Sequence, residues 1–451
     1  MKNILLISIT ISTFFLGCVK EIKSDSPKTE NPFTVISSGR PTTSSILQWQ
    51  KCFGSSAEDL GYSVAKAFDN SGYFITGNAS AAANITDGNV SGCHGGNDAW
   101  VVKINLDGIF QWQIAVGGSA SDVAHAIVGT PDGGCLIAGI TNSNDGNISD
   151  NHGGDDVLVA KISATGSFAW SKALGGGGYD NANALIQTTD GEYALTGSTT
   201  SIDGDVINSN VVNGNEKLWL VKFNISTGTA VITWQKTIGV PETRSEKGYA
   251  LTQGANDGYT IAGTTLPLTY GPDIWVINTN NIGEVNWEKK IASSGGDVGF
   301  GVAACKDING SINGYVVTGY LSNNLAVVKL NLDGTTYWQK TFLAGGTSGN
   351  IQGRSILSTN QGDIIVGITD SKNGEIIATK GGQDMFILRL DDVNGNKISS
   401  NVFGGKGADV GRSIITTDDG AFLVLGSTSS NNGDVSGNHG MNDLWTVKVK
   451  Y

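Results

Sequence analysis

The chain has 451 residues, with 64 Gly against 7 Pro and only 16% charged residues. Together with evenly spread aromatics, that balance describes many short strands joined by turns and excludes a disordered or mainly helical chain. A formal net charge of −12 repels phosphate backbones and excludes nucleic acid as a partner.

At the N-terminus, Lys2 precedes an apolar run from Ile4 to Leu16 that stops at Gly17-Cys18. A basic start, an apolar core too short to span a bilayer and a small residue before cleavage predict a signal peptide over residues 1–17. Phe15-Leu16-Gly17-Cys18 resembles a bacterial lipobox, with Phe15 where that family has Leu. The resemblance implies that Cys18 is lipidated and becomes the new N-terminus; the alternative is an ordinary secretory signal with an incidental Cys. Residues 18–45 then form a flexible tether, polar and rich in Ser, Thr and Lys, with Pro27, Pro32 and Pro41.

From residue 46 onward the chain repeats. Trp stands at 49, 112, 170, 234, 287 and 338, and Asn401-Val402-Phe403 fills the seventh equivalent place. Around it lies W-Q-K-x-x-G, clearest in Trp234-Gln235-Lys236 and Trp338-Gln339-Lys340. A Gly-containing loop leads to an acidic residue and a strand (A). A D-G turn follows, as in Asp132-Gly133, then a second strand (B) ending in Gly: 77, 139, 197, 263, 319, 367 and 426. After a loop of variable length, a third strand (C) carries D-x-W-x-V-K, as in Asp98-Ala99-Trp100-Val101-Val102-Lys103. Another turn, such as Asp107-Gly108, returns to the next Trp strand (D). The period of about 51 to 64 residues exceeds that of WD40 repeats and reaches past kelch.

Seven copies of four strands predict an all-β fold, a seven-bladed β-propeller over residues 46–451. The chain enters on a D-type strand, Ile46 to Phe53, and ends on a C-type strand, Leu444 to Tyr451. The N-terminal strand therefore completes the last blade and closes the ring. These repeats resemble the tandem propeller repeats of secreted and envelope proteins of Gram-negative bacteria. Leu106-Asp107-Gly108-Ile109-Phe110-Gln111-Trp112 is also similar to the tryptophan-docking repeat of quinoprotein propellers. The resemblance bears on fold; propellers host many unrelated activities.

Tight turns between A and B and between C and D trim one face. The B–C and D–A loops share the other, and variable loops on a rigid frame are where binding resides. The B–C loops are long in blades 1, 2, 3, 6 and 7, as in 78–97 and 140–155. They are short in blade 4 (264–272) and shorter in blade 5 (321–324). Near the start of strand A one position breaks the repeat, reading Tyr62, His125, Asn183, Tyr249, Phe300, Arg354 and Arg412. These seven are the candidate ligand-binding residues, expected at the mouth of the central channel; tolerant surface positions are the plainer account.

Other constellations have structural explanations. All ten Trp fall at repeat positions, which points to packing between blades rather than to sugar stacking. His94, His152 and His439 are one loop position in three blades and cannot easily share an ion, so neither a metal site nor a Ser-His-Asp triad is expected. Asp87-Gly88-Asn89, Asn144-Asp145-Gly146-Asn147 and Asn432-Gly433-Asp434 place oxygen ligands at alternate positions, a calcium pattern that Asx-turns also explain. The acid opening strand A (Asp59, Asp122, Asp180, Glu246, Asp297 and Asp409, with Asn350 in blade 6) forms repeated carboxylates in like environments. Glycoside hydrolysis needs unlike ones, so loop capping is the expected role. No adjacent Cys pair supports a quinone cofactor. Cys52, Cys93, Cys135 and Cys305 show no metal-ligand spacing; an oxidising compartment permits disulfides, and buried free thiols are the favoured alternative.

The sequence therefore predicts a non-catalytic, monomeric propeller without cofactor, lipid-anchored at the cell envelope, in the outer membrane of a Gram-negative-type bacterium. Its loop face binds an envelope protein or, alternatively, a glycan that it holds or degrades. A known analogy is the propeller lipoprotein of the outer-membrane barrel-assembly machinery, which has eight blades rather than seven.

Overall fold

Seven four-stranded antiparallel sheets stand around one axis in the structure, a computed structural model. It describes residues 46–80, 86–207, 209–212, 214–240, 243–267, 271–345 and 349–451. Residues 1–17, expected as a signal peptide, Cys18 and the expected 18–45 tether lie outside the described residues, as does part of the 78–97 loop.

In blade 1, strands A to D are Leu60–Lys66, Tyr73–Ala79, Asp98–Ile104 and Phe110–Val116. Strands B and C are buried at every position, because a neighbouring blade covers each of their two faces. That two-sided burial is why these strands are written as continuous apolar runs rather than as alternation. Strand D, at the outer edge, is largely half-buried or exposed. The core is accordingly divided into layers between blades. One layer packs Val64, Ile75 and Val102 of blade 1 against Leu423, Leu425 and Leu444 of blade 7.

The ring closes as the repeat predicts. Ile46–Phe53 pairs antiparallel with Asp443–Lys450 and completes the sheet that holds Asp409–Thr416 and Phe422–Thr428. Across that seam Trp445 Nε1 donates to Gln50 Oε1 at 2.9 Å.

The Trp-Gln dipeptide has two separate roles. The strand D Trp docks on the next blade: a Cβ added to the C–D turn glycines Gly108, Gly166 and Gly334 would strike Trp49, Trp112 and Trp287. Those glycines hold φ of 75°, 82° and 81°, in the left-handed region that suits Gly. The Gln instead satisfies the buried indole of strand C. Trp100 Nε1 donates to Gln113 Oε1 at 2.7 Å, Trp219 to Gln235 at 2.9 Å, and Trp275 to Glu288 Oε2 at 2.9 Å. Blades 2 and 6 have Leu158 and Phe386 in place of the indole and Ser171 and Ser400 in place of the Gln, while blade 5 has Ala326 and keeps Gln339.

The loop face has the uneven height expected. In blade 5 the B–C connection is only Ser322-Asn323, both at positive φ (47° and 70°), a two-residue hairpin turn whose twist suits the strands. In blade 4, strand B runs on to Pro267, four residues into what the sequence suggests is loop, because strand A reaches back to Thr243 and pairs with it. None of Cys52, Cys93, Cys135 and Cys305 forms a disulfide with another described residue. Burial pushes Cys135 and Cys305 up to about 12, so both stay protonated.

Candidate functional site

Strand A carries one residue too many, at the same place in every blade. In blade 1, Gly61 pairs with Gly77 and the next pair is Ser63 with Thr76, so Tyr62 has no partner in the ladder. The same slip leaves out His125, Asn183, Tyr249, Phe300, Arg354 and Arg412. A β-bulge bends its strand and re-aims the extra side chain. Because strand A is innermost, all seven re-aimed side chains turn toward the axis. There they line one cavity of about 290 Å³ with no other residue contributing.

The glycine ending strand B makes the bulge possible. A Cβ on Gly77 would lie 1.7 Å from the Leu60 carbonyl oxygen, on Gly139 1.9 Å from that of Val123, and on Gly426 1.6 Å from that of Val410. No side chain fits at such distances. The seven repeated glycines and the seven non-repeating residues, which look unrelated in the sequence, are two halves of one device. A second cavity, of about 200 Å³, continues from the ring toward the A–B turns past Ser63, Leu185, Leu251, Val302 and Ile356.

Contacts run round the ring from blade to blade. Arg412 lies over the Tyr62 ring at 4.6 Å and donates to the Gly61 carbonyl oxygen at 3.3 Å. Tyr62 meets His125 edge-on at 5.1 Å. His125 Nδ1 donates to the Ala182 carbonyl oxygen at 2.9 Å, and Asn183 Nδ2 to that of Gly248 at 2.8 Å. Tyr249 packs on Phe300 at 5.3 Å, and Arg354 lies over Phe300 at 4.1 Å. The three polar donors each reach the residue preceding the next blade's bulge.

The charges follow from this packing. Burial, aided by the nearby Arg412 charge, pulls His125 below the usual histidine range, so the ring is neutral at pH 7 and its Nδ1 carries the proton. Burial and Arg412 also lower Arg354, to about 10, which leaves it charged. Tyr249 is pushed up to about 12, chiefly by burial, and remains a neutral phenol.

The carboxylates opening strand A cap loops. Asp59 accepts from Ser55 N (2.6 Å), Ser55 Oγ (2.7 Å) and Ser80 N (3.0 Å). Asp122 and Asp409 accept from Gly118 N and Gly405 N, at 2.8 and 2.7 Å, and from Ser143 Oγ and Ser430 Oγ, both at 2.8 Å. The three histidines do the same work on strand C: Nδ1 of His94, His152 and His439 lies 2.9, 2.8 and 2.6 Å from Asp98, Asp156 and Asp443, each within its own blade. The acidic loop motifs bind backbone: Asp145 Oδ1 accepts from Ser119 N at 2.6 Å and Asn432 Oδ1 from Lys406 N at 2.8 Å. Among the described residues no group of three or more His, Cys, Asp or Glu is placed to hold a metal ion.

No protein-family model and no curated protein sequence matches the chain. Solved structures do. Sqt1 from Chaetomium thermophilum aligns with a TM-score of 0.45 at 8% identity, over 90% of this chain and 99% of that one. A puromycin hydrolase aligns at 0.47 and 11% identity, over 83% of this chain but only 51% of its own. The quinohemoprotein alcohol dehydrogenase ADHIIG from Pseudomonas putida HK5 aligns at 0.46 and 9% identity, over 90% and 76%.

Proposed function

We propose that this propeller is a non-catalytic binding protein that docks a protein partner on its loop face, at the cell envelope, tethered through lipidated Cys18. The observation that carries the reading is an apolar surface around blade 3. Tyr179 (65% exposed), Ile202 (72%), Ile207, Val212 and Val240 sit on the three consecutive loops that serve this blade. Those loops are joined by hydrogen bonds, from Gly177 N to Asp203 Oδ1 at 2.7 Å and from Asn210 Nδ2 to the Gly239 carbonyl oxygen at 2.9 Å. Exposed apolar side chains gathered in this way and rimmed by polar ones mark a surface that a partner covers. On the turn face, exposed apolar residues such as Phe68, Ile282 and Ile308 are spread over blades 1, 4 and 5. A lipid anchor with a flexible tether holds such a surface at high local concentration beside envelope partners.

In-cell photocrosslinking from Ile202 and Tyr179, with Phe68 as the turn-face control, tests the reading. It expects one discrete envelope protein captured from the blade 3 positions. Equal capture from Phe68, or none, overturns it. Cys18→Ser is expected to move the protein from the membrane fraction to the soluble one.

A further inference from the structure

Six of the seven steps around the channel ring are attractive contacts: two guanidinium–ring stacks, two aromatic pairs and two hydrogen bonds. The seventh, from Arg354 to Arg412 across blades 6 and 7, has no such contact and sets two like charges on the wall of one cavity. No carboxylate among the described residues pairs with either guanidinium.

The donors are in excess as well. A guanidinium has five N–H groups. Arg412 spends one on the Gly61 carbonyl, while Arg354 Nε is shielded from solvent without a partner. Both planar groups are fixed by stacking on Phe300 and Tyr62, which leaves their N–H edges for something else. Only five arginines occur in the whole chain (40, 244, 354, 389 and 412), and two of them are here, in a protein of net charge −12. A cationic pair held rigid and unneutralised is the arrangement that recognises an oxyanion through forked hydrogen bonds.

We propose that the channel ring is a binding site for a small organic oxyanion, a carboxylate or phosphate seated between Arg354 and Arg412. The body of the ligand lies toward Tyr249 and Asn183, in a cavity of about 290 Å³. That space holds about ten water volumes, enough for a molecule the size of a monosaccharide or an amino acid. Neutral His125 adds no third charge, so one or two negative charges balance the site. The site is separate from the blade 3 surface and stands or falls independently of it.

Isothermal titration of the purified full-length protein tests this with glucuronate, inorganic phosphate and glucose. At least one of the two anions is expected to saturate the protein at 1:1, with glucose giving no binding. Whichever anion binds names the group. Arg354→Gln and Arg412→Gln are each expected to weaken that binding on the order of tenfold or more. Should a variant fail to fold, the wild-type comparison of glucuronate with glucose, its uncharged analogue, and the salt dependence of phosphate binding decide the matter alone. Absence of saturable binding by both anions at 10 mM (an order-of-magnitude ceiling for a weak site), glucose binding as well as glucuronate, or unchanged affinity in both folded variants overturns the proposal.

Discussion

Lys217 Nζ lies 2.8 Å from Glu246 Oε2, with both side chains sealed between blades 3 and 4. At this level of other interfaces the chain places two aspartates instead, one opening strand C and one opening the next strand A. Asp98 and Asp122 flank Gly117, and Asp156 and Asp180 flank Gly175, so closely that a Cβ on either glycine would lie 2.5–2.6 Å from both carboxylates. Blade 3 replaces the first aspartate with a cation, and blade 4 lengthens the second to Glu. The lysine also donates to Thr243 Oγ1 at 2.8 Å and to the Val240 carbonyl oxygen at 2.5 Å, so its charge is fully partnered.

Removing one partner of that pair strands a buried charge. Glu246→Ala is expected to cost about 3–5 kcal/mol in urea unfolding. The double variant with Lys217→Met is expected to cost less than the two single changes added, by about 1–3 kcal/mol. Strict additivity would show that the pair is incidental.

The bulge glycines admit no side chain. Gly139→Ala is expected to destabilise the fold by about 2–4 kcal/mol, since its Cβ would overlap the Val123 carbonyl oxygen. Gly420 makes a fair control: it holds φ 73° with open space around the missing Cβ, so Gly420→Ala is expected to cost about 1 kcal/mol from backbone strain alone. Thermal melts of the two variants compare them directly, and equal losses would contradict the steric account.

The Trp-Gln pairing predicts a contrast between blades. Gln113→Leu leaves the Trp100 indole N–H buried without its acceptor and is expected to cost about 1–3 kcal/mol. In blade 5 strand C has no indole at that level, and Gln339 is exposed, so Gln339→Leu is expected to stay within about 0.5 kcal/mol of the wild type. A comparable loss at both sites would detach the Gln from the role assigned to it.

Acidity should tune stability in an unusual direction. Burial raises Asp59, Asp98, Asp156, Asp180, Asp384 and Asp443 above the ordinary aspartate value of 3.8. Between the unfolded and folded values the native state binds more protons, so their contribution is complete below the unfolded value and is lost as pH rises through the folded ones. His125, whose value is lowered, acts in the opposite sense below pH 6.5, but it is a single group. The melting temperature is therefore expected to fall as pH rises from about 4 through the folded aspartate values, measured calorimetrically in one buffer series. A flat or inverted profile rules this out. Below 3.8 the trend reverses, because Asp190 and Asp419, held near 2 first by the side-chain hydrogen bonds of Lys222 and Thr417 respectively, then lose their partners.

The repeat by itself determined the seven blades, the four strands of each, the ring closure by Ile46–Phe53 and the identity of the seven channel positions. These are periodic properties, and a period survives in one dimension: strand alternation, turn glycines and docking tryptophans recur at fixed offsets whatever the neighbours do. What only the tertiary structure decided is why those positions matter. A bulge is a mismatch between two strands, visible only when Gly61 and Ser63 are seen facing Gly77 and Thr76 with Tyr62 left over. The neighbours of Arg354 are likewise invisible in the sequence, because Phe300 lies 54 residues before it and Arg412 58 residues after, and only the packing of consecutive blades around the axis brings the two cations to one cavity without an anion.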